Sequence, residues 1–206
     1  MITVYTLDRE DRLVDLSPNW DSFALANEGE AACASHVLGE PLMHNIAGDP
    51  VRMFMTAVLM RVRVSGQPET APYRCDSEKM KRLYHMTLEP LEDGAVRITH
   101  VLDHEAPAER RVRIRPAAPG RPALQRCSIC CRVKGAQGWA DPFDAAADQD
   151  LRVIHTVCPD CKARGARRPS PEVPKEIFGM TPRLFPVDAR AGGSTGRAAP
   201  SDGAGA

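Results

Sequence analysis

Two Cys-x2-Cys pairs, Cys127/Cys130 and Cys158/Cys161, stand 27 residues apart and constrain this chain more than any other feature. Each such turn aims two sulfurs at one point, so together they suit a metal clamp, a pair of disulfides or a redox switch. The chain begins MITVYTLDRED, without a basic start followed by an apolar stretch. The expectation is therefore cytoplasmic localisation, where reducing conditions make the seven cysteines metal ligands or free thiols rather than structural disulfides.

A segment of ~40 residues seldom holds itself together without a metal, disulfides or a host surface. Four thiolates from two turns complete the closed tetrahedral site that structural Zn²⁺ prefers. Such a site supplies an apparent ~10–16 kcal/mol in small finger peptides, ample to fold a lobe of this size. The predicted ligands are Cys127, Cys130, Cys158 and Cys161, with Arg126, Arg132, Lys134 and Lys162 beside them to offset the negative charge. Catalytic zinc needs three protein ligands and an open position, which this pattern does not favour. His155 either replaces one cysteine or supports the site by a hydrogen bond, and four cysteines with a supporting histidine is the preferred arrangement. Cys131 is expected to be a bystander whose thiol is open to oxidation, which would make the lobe redox-responsive. Cys33 and Cys75 are expected to be ordinary small residues.

Composition divides the chain. Residues 1–105 carry 10 Lys/Arg against 17 Asp/Glu, whereas residues 106–206 carry 17 against 10, so the neutral total hides an acidic half and a basic half. Residues 1–105 read as a folded domain, 106–124 as a Pro/Arg-rich linker, 125–165 as the zinc-binding lobe and 166–206 as a mostly disordered tail, with 177–185 (IFGMTPRLF) as a short docking segment. No apolar run reaches the ~18 residues of a membrane span, so no membrane partner is expected.

Within the first domain, ITVYTLD and RLVDLS predict two strands joined by a charged turn. Ser17-Pro18 predicts a helix start, with Ser17 as N-cap, and a second, longer helix opens with Asp49 as N-cap and Pro50 in the first turn and closes before Gly66. On that long helix Arg52, Thr56 and Arg63 share one stripe. Phe54, Val58 and Val62 form an apolar row, and Met53, Ala57, Met60 and Val64 form another. The second row is wider than one sheet face requires, so it is either buried core or the contact of a homodimer. Three strands follow, with Tyr84, Met86 and Leu88 on one face of the second and Val96, Ile98, His100 and Leu102 on one face of the third.

The order of strand, strand, helices, long helix and three antiparallel strands resembles a PAS domain. The wording is similar to one bacterial PAS type: Asn19-Trp20, Phe23-Ala24, Val37-Leu38-Gly39-Glu40-Pro41 and Tyr73-Arg74-Cys75-Asp76-Ser77 stand at the matching places. In that type such a sensory domain is followed by Cys-x2-Cys, an aromatic and His-x2-Cys-Pro-x-Cys, matched here by Cys127, Cys130, Trp139, His155, Cys158, Pro159 and Cys161. Ile129 stands where the family commonly has Trp. The resemblance covers about 1–105 and 125–163. It implies an α+β fold, a PAS-like antiparallel sheet with flanking helices, followed by a small zinc-ribbon-like lobe.

The resemblance also implies a signal-transduction sensor or adaptor. No kinase core, cyclase or helix-turn-helix is recognisable, so the effector is a signalling partner in trans. The long helix has no histidine for haem, His36 and His44 lie before it, and no Asn-Cys-Arg motif marks a flavin domain; the leading expectation is no PAS-bound cofactor. The chain is expected not to be an enzyme, since it shows no Gly-rich phosphate loop, nucleophile elbow or paired carboxylates. The alternative is nucleic-acid binding through the basic lobe and tail, using arginines such as Arg110, Arg113, Arg121 and Arg132 on phosphates.

Overall fold

The computed structural model describes residues 1–165 other than 28 and 119, so the tail and the segment 177–185 lie outside the described residues. The first two strands, β1 (Ile2–Leu7) and β2 (Leu13–Leu16), pair antiparallel. Their turn is held by the Asp8 carboxylate, which accepts the N–H groups of Glu10 and Arg12 at 2.9 and 2.8 Å while Asp11 takes φ 62°. Helices α1 (Trp20–Ala26), α2 (Ala34–Val37) and α3 (Asp49–Ser65) follow, then strands β3 (Glu69–Arg74), β4 (Met80–Pro90) and β5 (Val96–Pro107). The sheet is antiparallel throughout, in the order β2-β1-β5-β4-β3, with the last strand at its centre between β1 and β4. This is the PAS-like sheet with flanking helices that the element order implied.

Two helix starts differ from expectation. Helix α1 begins at Trp20 with Asn19 as cap, because Ser17 faces β1 instead: its Oγ accepts the Val4 N–H at 3.2 Å. At α3, Asp49 is the first helical residue and Gly48 is the cap, with φ 90°. The other end behaves as predicted, with Gly66 left-handed at φ 62°.

Helix α3 sets Val58, Leu59 and Val62 on the sheet, where Leu7, Leu88, Val96 and Ile98 are fully buried. Full burial contributes about 1.5–3 kcal/mol for each such side chain. The second apolar row is not core: Met53 is 72%, Met60 58% and Val64 86% exposed. The polar stripe is instead partly tucked in, since Arg63 donates to the carbonyls of Gly94 (2.8 Å) and Asp8 (2.9 Å) and to the Asp11 carboxylate (2.7 Å).

The second half builds its own sheet from β6 (Val112–Pro116), β7 (Leu124–Cys127), β8 (Val133–Gly135), β9 (Gly138–Ala140) and β10 (Gln149–Thr156), ordered β6-β10-β7-β8-β9 and closed by α4 (Pro159–Gly165). The stretch 106–124 is therefore more than a linker. It continues β5 to Pro107 and supplies β6, which runs parallel to β10 and buries Val112. Alternation in VRIRP explains this: its arginines face carboxylates, with Arg113 on Glu78 at 2.5 Å and Arg115 on Asp150 at 3.1 Å.

The two halves are docked. Val51 of α3 and Leu83 of β4 join the buried cluster around the cysteines. A Cβ on Gly48, at φ 90°, would lie 2.5 Å from the His155 carbonyl oxygen, so this contact requires glycine, and at the other end Gly165 lies against the Phe54 ring. Among the described residues no helix is long and apolar enough to cross a membrane.

Candidate metal centre

Strand pairing brings the distant cysteine pairs together. β7 and β10 are parallel neighbours with Cys127 opposite Thr156, so Cys127 and Cys158 leave the same end of adjacent strands. The Ser128 N–H extends that ladder to the Thr156 carbonyl at 2.9 Å. The first pair lies on a closed turn, in which the Cys131 N–H donates to the Cys127 carbonyl (3.0 Å) and the Cys127 N–H to the Arg132 carbonyl (2.9 Å). Closing it puts Cys131 at φ 61°, a conformation a non-glycine residue adopts rarely. In the second pair Pro159 opens α4, a position where its missing N–H costs nothing, and the first turn carries Cys161 inward.

The sulfurs of Cys127, Cys130, Cys158 and Cys161 all lie within 4.8 Å of one another, and each residue is at most 2% exposed. Cys130 and Cys158 are 3.8 Å apart, matching the ~3.8 Å edge of a tetrahedron of sulfurs about 2.3 Å from a central Zn²⁺. All seven cysteines are free thiols. The thiols are mutually frustrated. Hydrogen bonds from Cys130 and then Cys161 favour the Cys127 thiolate, while the bond to Cys127 pushes Cys130 up to about 12, and the bonds to Cys127 and Cys130 raise Cys161. A cation at the centre would favour the thiolate form of the sulfurs around it, and soft thiolates in a closed tetrahedron suit zinc.

Donors ring the cluster. The Cys158 N–H reaches the Cys127 sulfur at 3.4 Å, and Arg164 Nη2 reaches the Cys161 sulfur at 2.8 Å. His155 stands outside the sulfur group and shares a 3.1 Å hydrogen bond between Nδ1 and the Ser128 hydroxyl, bracing the first turn. Burial, then the Arg126 charge, lowers its pKa and favours the neutral ring. Trp139 packs against the same cluster. Cys33 is half-buried at the start of α2, and His36 and His44 are exposed.

Cys131 is no bystander. Its buried sulfur donates to the Arg74 carbonyl (3.4 Å) and accepts from Arg126 Nη2 (3.0 Å), and burial pushes its pKa up to about 12. Arg74, the last residue of β3, also donates its N–H to the Ile129 carbonyl at 2.8 Å. Its buried guanidinium holds Asp76 at 2.6 Å and Asp141 at 2.6 Å. Burial opposes the Arg74 charge, but Asp141 and Asp76 outweigh it and raise its pKa. Sequence patterning missed this joint, since an arginine at a strand end and Asp141 of the Asp-Pro turn are 67 residues apart. The only local signal was the Asp141-Pro142 cap, where Asp141 Oδ1 accepts the Phe143 N–H at 3.1 Å.

No family model matches the chain, and no curated protein aligns with it. Three solved structures share part of its shape. A domain of an HTR-like protein from Haloarcula marismortui ATCC 43049 is 12% identical over 50% of this chain and 98% of its own, with TM-score 0.36. A sensory box sensor histidine kinase from Vibrio cholerae is 9% identical over 50% and 81%, with TM-score 0.37. A domain of a sensory box sensor histidine kinase/response regulator from Geobacter sulfurreducens is 15% identical over 48% and 81%, with TM-score 0.33. Likeness at this level bears on neither ligand nor activity.

Proposed function

We propose that this chain is a non-enzymatic cytoplasmic signalling sensor or adaptor: a PAS-like domain carries a structural zinc lobe docked on the start of α3 and the end of β3, and together they bind a signalling partner in trans. The convergence of four buried sulfurs from two parallel strands carries this reading. All four positions of a tetrahedron are filled by protein, which suits a structural ion and leaves no place for a reacting water. Cys127, Cys130, Cys158 and Cys161 are the proposed ligands, with His155 in support. Bound zinc would hold the first turn in register with Arg74, so a change in the sheet would reach the lobe through that joint.

A homodimer through α3 belongs to the same reading. Met53, Ala57, Met60 and Val64 are spaced palindromically, so a two-fold axis sets Met53 against Val64 and Ala57 against Met60 of an antiparallel copy. Nucleic-acid binding is less favoured, because Arg111, Arg113, Arg115 and Arg132 have carboxylate partners within the chain.

Elemental analysis of the purified full chain, with an absorption spectrum, tests the reading. About one zinc per chain is expected, with no haem or flavin band, and a loss of zinc in Cys127→Ser and Cys158→Ser. Four freely titrating thiols in the folded, metal-free protein would sink it.

A further inference from the structure

A second site lies on the seam between the halves. The end of α1, the β3–β4 connection, β6, β7 and the turn at 142–144 enclose a cleft of about 620 Å³. Val112, Ile114 and Phe143 give it an apolar wall, and Cys75, Arg82 and Arg126 line it from the two halves. Its carboxylates are already engaged. Asp76 accepts Arg74 Nη2 at 2.6 Å and the Arg82 N–H at 3.0 Å, and Glu78 accepts Arg113 at 2.5 and 3.4 Å. The cations are less well served. Arg82 reaches the half-exposed Glu105 at 3.4 Å. Arg126 donates to the Cys131 thiol, a weak acceptor, and its buried Nε finds no acceptor among the described residues. Two guanidinium groups with weak protein acceptors and a partly hydrocarbon lining suit a ligand with a planar anionic head and an apolar body.

We propose that this seam cleft binds a small apolar carboxylate, its head on Arg82 and Arg126 and its hydrocarbon against Val112, Ile114 and Phe143. Because both halves contribute, such a ligand tightens the docking of the lobe on the sheet. The inference concerns the seam and does not depend on which ion the cysteines hold.

Exposed Cys75 on the cleft wall reports occupancy, with half-buried Cys33 as an internal control. In the full zinc-replete chain, 4-butylbenzoate should slow maleimide labelling of Cys75, followed by peptide mass spectrometry, and leave Cys33 unchanged. Neutral 4-butylbenzamide and inorganic phosphate should protect far less. Arg82→Gln and Arg126→Gln should each weaken protection by roughly tenfold in ligand concentration. Arg82→Gln keeps the test open if Arg126→Gln disturbs Cys131. No protection at about 10 mM benzoate, at the weak end of specific binding, would overturn the proposal. So would equal protection by the amide or by phosphate, or protection undiminished in both arginine variants. Zinc content measured on the same samples separates failure at the cleft from failure of the metal assignment.

Discussion

Arg74 shows how much one side chain decides. It is 3% exposed, bridges two carboxylates from different halves, and uses its own N–H and carbonyl on the first cysteine turn. Removing a buried partner leaves the opposing charges uncompensated, so Arg74→Met should cost about 3 kcal/mol in chemical denaturation. A loss no larger than that of an exposed arginine would show the joint to be incidental. His100 is the second such residue. Its Nδ1 shares a 2.8 Å hydrogen bond with the Tyr73 hydroxyl, and burial, reinforced by His85, drops its pKa from 6.5 to about 4. The unfolded chain takes up this proton first, so His100 favours folding fully above about pH 6.5 and progressively less as pH falls towards 4. Denaturant midpoints across that window should fall more steeply for the native chain than for His100→Gln, and parallel profiles would refute the assignment.

Among the elements, α3 serves three surfaces at once. Val58, Leu59 and Val62 face the sheet, Val51 and Phe54 face the lobe, and Met53, Met60 and Val64 face solvent. Its entry at Gly48 lies against the β10 backbone of the lobe. With φ 90° and the His155 oxygen 2.5 Å from any added Cβ, Gly48→Ala should destabilise the protein by more than about 1 kcal/mol and loosen the lobe. Native-state proteolysis should then cut between the halves before the first domain unfolds; unchanged resistance would mean that α3 and β10 yield at little cost. Periodicity predicted α3 well because seventeen residues repeat the pattern. It misjudged the first helix start because Ser17, a good cap by type, is taken by β1.

At the scale of the molecule, the open question of α3 is oligomeric. Met60→Asp places a charge at the centre of the proposed two-fold contact, so it should shift the dimer to monomer in light scattering with little change in thermal midpoint, as the site is exposed in the protomer. A native chain that is monomeric at high concentration would remove the contact. The antiparallel sheet, the long helix and the cysteine pairs were legible in the sequence because each is written in local periodicity or spacing. By itself the sequence determined which residues offer sulfur and which faces are apolar. Only the tertiary structure decided that β6 leaves the expected linker to pair with β10, that parallel β7 and β10 deliver both pairs to one point, and that Arg74 fastens the halves. The physical reason is range: turns and helices are set by neighbours a few residues apart, whereas strand partners and buried ion pairs depend on which distant segments the whole chain brings into contact.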